Sequence, residues 1–76
     1  MLAENLTDGW HQDSEGNYTY VKDGRLLTNC VEKIDGSYYG FDWYGKMYIN
    51  TTFSSLDSVN KVFYVYRASE SGALYA

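Results

Sequence analysis

The sequence predicts an all-β chain of tandem β-hairpins stacked as a short β-solenoid, and three observations carry that prediction. The first is a repeated pattern, clearest in Asp35-Gly36-Ser37-Tyr38-Tyr39-Gly40-Phe41-Asp42-Trp43-Tyr44-Gly45-Lys46-Met47. It comprises a small turn residue, an aromatic-rich extended run, a polar turn closed by Gly, a basic residue and an apolar residue. An earlier copy runs from Glu15 to Leu26, with one residue fewer in its turn, and a looser later copy runs from Val59 to Leu74. The second is composition: nine Tyr, three Phe and two Trp in 76 residues suit strands and binding platforms better than helix cores. The third is the lack of proline and of any run of helix formers with a period near 3.6.

Taken in order, residues 1–8 read as a polar leader or linker. Gly9-Trp10 opens the repeats, and residues 10–13 permit a short strand. The cluster Asp13-Ser14-Glu15-Gly16-Asn17 is a turn in which Gly16 can take a positive φ. In Tyr18-Thr19-Tyr20-Val21 the period of two puts Tyr18 and Tyr20 on one face and Thr19 and Val21 on the other. Asp23-Gly24 is a strong hairpin signal, and Leu26-Leu27-Thr28 reads as the returning strand. Residues 29–34 read as a connecting strand, followed by a second Asp-Gly turn at Asp35-Gly36. The central hairpin carries aromatics on both faces and returns through Met47-Tyr48-Ile49. Residues 53–58 read as a polar connector with two apolar anchors, residues 62–66 as a strand, and residues 68–72 as its turn.

Aligned on the residue opening each aromatic run, the copies start at Gly16, Gly36 and Asn60, a period in the low twenties. One hairpin per unit at that period implies stacking, each hairpin covering its neighbour's aromatic face. The predicted organisation is a repeat module over residues 9–76 with three units, about 9–28, 29–52 and 53–76. Stacking also supplements a core that a chain this short cannot build from one unit. Disulfides within the chain do not contribute, because Cys30 is the only cysteine. Stacking leaves open ends, which predicts a fragment of a longer array or self-association.

Composition also narrows function. The net charge of −4, with isolated basic residues, repels a phosphate backbone, so nucleic acid is not an expected partner. No apolar stretch reaches the length of a membrane span, and no membrane insertion is expected. The segment from Met1 to Leu6 lacks the regions of a signal peptide. Met1 therefore reads as an added start or as the beginning of an excised fragment, with any export signal outside it. Asn5, Asn17 and Asn50 begin glycosylation acceptor patterns, which are cheap in a chain rich in Asn, Ser and Thr. Catalysis has no constellation: His11 and Cys30 are single and lack a surrounding motif. No spacing suggests a metal site, and no cofactor is expected.

Gly9-Trp10, then Gly16-x-Tyr18-x-Tyr20-Val21-x-x-Gly24-x-Leu26, then Gly36-x-Tyr38-Tyr39-x-Phe41-x-x-x-Gly45-Lys46-Met47, resembles the cell-wall-binding repeat superfamily. That superfamily includes choline-binding modules, glucan-binding repeats and clostridial toxin repeats. The match covers about residues 9–50 well and residues 59–75 loosely. The resemblance implies hairpins stacked into a left-handed solenoid, with ligand sites between adjacent units. It implies an aromatic cage at Trp10 with Tyr18, Tyr20 and Tyr38 in the family's aromatic positions. Where further Gly-Trp pairs should fall the chain has Asn29-Cys30 and Asn50-Thr51, so at most one complete cage can be built.

The expected function is a non-catalytic cell-wall or glycan-binding module of a larger bacterial surface or secreted protein. The implied partners are cell-wall polysaccharide, glucan or choline-bearing teichoic acid, at the cell surface or outside the cell. Sugar rings present apolar faces to Tyr or Trp, and Trp43 and Tyr44 beside the Gly45 turn join Trp10, Tyr18, Tyr20 and Tyr38 as candidate ligand residues. Against any single tyrosine stands the plainer role of packing between hairpins, which in the limit makes the chain a structural or self-associating spacer. A small SH3-like barrel also fits the composition but does not explain the repeat.

Overall fold

Two Asp-Gly pairs make the tightest reversals of the backbone. In the computed structural model, which describes residues 6–76, Asp23 and Gly24 have φ of 53° and 76°, and Asp35 and Gly36 of 50° and 91°. Two consecutive positive values are what a type I′ turn requires, and that turn matches the twist of paired strands. The expectations placed on Met1 to Asn5, including the Asn5 acceptor pattern, lie outside the described residues.

Around these turns β1 (Gly9–Gln12), β2 (Tyr18–Lys22) and β3 (Arg25–Leu26) form an antiparallel sheet in that order. Next, β4 (Cys30–Ile34) pairs with β5 (Ser37–Phe41), and β6 (Thr51–Asp57) pairs with β7 (Val62–Ala68). The described residues thus form an all-β stack of hairpins. Each aromatic run pairs mainly with the strand before it. Its pairing with the segment after it is brief: two positions between β2 and β3, then single bridges Phe41↔Met47 and Ala68↔Leu74. Residues 29–34 are therefore half of a hairpin and not merely a connection.

The expected polar connector at residues 53–58 lies almost wholly in β6, which pairs with β7 from Thr51↔Ala68 to Asp57↔Val62. Thr51, Thr52 and Phe53 carry strand preference, and the exposed Ser54 is compatible with a pleat that keeps one side in water. This third hairpin has seven-residue strands against five in β4 and β5, which explains why its copy matches the pattern loosely.

A second kind of turn recurs at residues 13–17, 42–46 and 69–73. In each, the glycine N–H donates to the carbonyl three residues back: Gly16 to Asp13 at 3.1 Å, Gly45 to Asp42 and Gly72 to Ser69 at 3.0 Å. Asp13 Oδ1 accepts from the amides of Glu15 and Asn17, and Asp42 Oδ1 from those of Tyr44 and Lys46, all at 2.9 Å. The Asn17 amide first, then the Asn17 side chain and the Glu15 amide, hold the exposed Asp13 carboxyl below its usual range. The Asn60 and Val59 amides do the same for Asp57 at the β6–β7 turn, because each bond favours the ionised acceptor.

These turns lock one unit onto the last. Met47 N–H donates to the Tyr18 carbonyl at 2.9 Å, and Leu74 N–H to the Tyr38 carbonyl at 2.8 Å. Gly45 rests on Leu26 and Gly72 on Met47, so a Cβ at either glycine would strike those side chains. Val21, Phe41 and Ala68 hold the same place in successive units, each opposite an apolar partner, and are 0%, 1% and 2% exposed. With Ile34 and Phe53 they form the small buried core. At the amino-terminal side, Asp8 accepts from the amides of Asp23 and Gly24 at 3.1 and 3.0 Å, tying the end of the leader to the first type I′ turn.

Candidate functional site

Stacking decides which aromatics meet. In unit one, β1 pairs with β2 so that Trp10 lies opposite Tyr20, and period-two alternation keeps Tyr18 on the same face. The unit above presents the face of β5 that carries Tyr39 and Phe41. Trp10 accordingly contacts four rings: Tyr20 and Tyr39 edge-on at 5.0 Å, Phe41 tilted at 6.1 Å and Tyr18 edge-on at 6.3 Å. Edge-to-face pairs at such separations hold the indole in one orientation.

One side of this cluster remains open. Trp10, Tyr18 and Tyr39 line a cleft of about 640 Å³ together with Met47, Ile49, Glu70 and Ser71. Trp10 stays 37% exposed and Tyr18 44%, leaving ring surface free to meet a ligand. The three aromatic rings come from units one and two, and Glu70 and Ser71 from the turn at residues 69–73. Three aromatic side chains and a methionine thus line one open, mainly apolar space.

Of the residues singled out from the sequence, Trp10 and Tyr18 line the cleft. Tyr20 is half-buried against Trp10 and supports it from beside the cleft. Tyr38 looks away, 52% exposed, with Lys33 Nζ 5.9 Å from its ring centre. Trp43 and Tyr44 stand on the turn at residues 42–46, 69% and 70% exposed and apart from the cleft. Sequence reasoning did not single out Tyr39, Met47 or Glu70. The signal for Tyr39 was present: in a stack, a site takes one face of a unit and the opposite face of the next. Tyr18 therefore meets Tyr39, the neighbour of its positional counterpart Tyr38.

The second inter-unit gap is built differently. Val31 pairs with Gly40 as Trp10 pairs with Tyr20, so by strand pairing Val31, rather than Cys30, takes the tryptophan's place. Phe53 lies directly on Gly40, filling the space a side chain would need. Its ring stacks on Tyr48 at 4.1 Å and on Tyr66 at 5.5 Å. Cys30 is half-buried, and that burial raises its thiol pKa, away from reactive thiolate chemistry.

No protein-family model matches the sequence, and no curated protein does. Solved structures do. The choline binding domain of Spr1274 in Streptococcus pneumoniae is 29% identical, with 93% of this chain and 97% of that chain covered and a TM-score of 0.64. The choline-binding domain of CbpL from Streptococcus pneumoniae is 25% identical over 92% of this chain and 34% of that one, with a TM-score of 0.65. The modular autolysin LytC of the same organism, solved with a synthetic peptidoglycan ligand, shares the fold at 23% identity. It is covered over 19% of its length and 93% of this chain, with a TM-score of 0.58. In its stacked hairpins and the Gly-Trp opening of its repeats, the chain is similar to these choline-binding domains and to the cell-wall-binding repeat pattern.

Proposed function

We propose that this chain is a cell-wall attachment module that holds the trimethylammonium group of choline between Trp10, Tyr18 and Tyr39 above Met47. The observation that carries this reading is the cleft lined by three aromatic rings and Met47 where units one and two meet. The function is adhesion without a catalytic step. The natural partner is choline-bearing teichoic acid, reached as one module of a larger surface or secreted bacterial protein. A cation–π contact contributes roughly 0.5 to 2 kcal/mol per good ring, so one cage reaches about millimolar affinity. Firm attachment then comes from several linked modules acting together.

An NMR titration with choline and then with α-glucan oligosaccharides, following the indole N–H signals, tests this reading. The Trp10 signal is expected to shift saturably with choline while Trp43 stays in place. A response to glucans alone, at Trp43, would replace the amine by a sugar and move the site to the outer turn.

A second reading adds self-association to ligand binding, and an exposed apolar face favours it. Leu56 pairs with Phe63 on one side of the third hairpin, with Val65 on the same side. The three are 49%, 70% and 74% exposed. Patches of this kind commonly meet a partner surface, here a further unit or a second copy. Sedimentation across a concentration series is expected to show a dimer that Phe63→Ser reverts to monomer, and a monomer at every concentration would remove this reading.

A further inference from the structure

We infer that Glu70 is the charge-selecting residue of the cage, the anionic side that makes it prefer a cation over a neutral group of equal shape; this rests on the cage reading above. Glu70 occupies the second position of the turn at residues 69–73. The corresponding positions in the earlier turns hold Ser14 and Trp43, so the acid belongs to this unit's turn and not to the repeat. Its place is set by backbone: Gly72 N–H donates to Ser69 at 3.0 Å, Ser69 N–H to Ala73 at 3.0 Å, and Gly72 seats on Met47. That seating holds the turn against Met47, and Glu70 joins Met47 in the lining of the cleft.

The electrostatics of the cleft depend on that placement. Among the described residues, the one ion pair is Lys22 with Glu32 at 2.7 Å, and no hydrogen bond engages the Glu70 carboxylate. Among the described residues no Lys or Arg lines the cleft, and Glu70 is the one lining residue with a formal charge. Aromatic faces attract a cation through their quadrupole but also accept an uncharged tert-butyl group by apolar contact. A carboxylate at the rim favours the cation alone. The site therefore draws on three units: Trp10 and Tyr18 from the first, Tyr39 and Met47 from the second, and charge selection from the third.

The test compares choline with its uncharged tert-butyl analogue on the full chain, wild type and Glu70→Gln, reading the Trp10 indole signal. Glutamine keeps the size of the side chain and removes its charge. Glu70→Gln is expected to weaken choline binding by about three- to tenfold, as one charge at the rim of a solvated site predicts, and to leave the neutral analogue unchanged. Added salt is expected to weaken choline binding to the wild type more than to the variant. Equal choline affinity in both proteins overturns the role of Glu70 and leaves the cage standing. Equal losses for both probes overturn it too, since a displaced turn and not a charge would then be responsible. A wild-type Trp10 signal that answers neither probe overturns the cage reading itself.

Discussion

Trp10→Ala is expected to abolish saturable choline binding and to lower the stability of the whole stack. The tryptophan is the best cation–π wall of the cage, and its loss alone weakens binding by a factor of up to about thirty. The same side chain packs on Tyr20, Tyr39 and Phe41, where unit one meets unit two. A fully buried Trp→Ala change costs about 3 to 5 kcal/mol. With 37% of Trp10 exposed, roughly 2 to 3 kcal/mol is expected here. That is a large share of what a domain of this size possesses, at about 0.05 to 0.15 kcal/mol per residue.

Tyr18→Leu separates the two effects. Its ring lines the cleft but is 44% exposed and meets Trp10 only edge-on at 6.3 Å. Binding by the indole titration is expected to fall several-fold while the denaturant midpoint moves little. Unchanged choline affinity in Tyr18→Leu would show that the cleft is not the site.

Gly40→Ala is expected to unseat the third hairpin. Gly40 lies within β5, and the added methyl would clash with the outer edge of the Phe53 ring. Phe53 is 8% exposed and stacked between Tyr48 and Tyr66, so moving its ring aside breaks that stacking. Overpacking of this kind costs about 1 to 3 kcal/mol. The check is a double-mutant cycle in urea: Gly40→Ala should be costly in the wild type and nearly neutral once Phe53→Ala has cleared the space. Equal costs in both backgrounds would place the effect in strand propensity rather than in this contact.

The same glycine shows why the second gap differs from the first. Where unit one has Tyr20 supporting Trp10, unit two has Gly40 beside Val31, and the third unit fills the vacancy with Phe53. With Val31 and Gly40 in place of Trp10 and Tyr20 at the corresponding pair, the Phe53 ring packs where the first gap stays open. The seven-residue strands of the third hairpin then carry Leu56, Phe63 and Val65 as exposed apolar surface.

By itself the sequence determined the local chemistry of this protein: an all-β repeat, both Asp-Gly hairpin turns and the Gly-closed turns. Those features depend on φ preference, side-chain alternation and short-range hydrogen bonds, and residues within a few positions of each other specify them. Tertiary structure decided which strands became hairpin partners, that residues 53–58 belong to a full strand, and that Trp10 and Tyr18 share their cleft with Tyr39, Met47 and Glu70. A stacked site takes opposite faces from consecutive units, so its members are related by inter-unit register and not by matching positions in the repeat. That register is set by Met47 and Leu74 donating to Tyr18 and Tyr38, and by Gly45 and Gly72 seating on Leu26 and Met47. These contacts join residues of different repeat units, and no local pattern contains them.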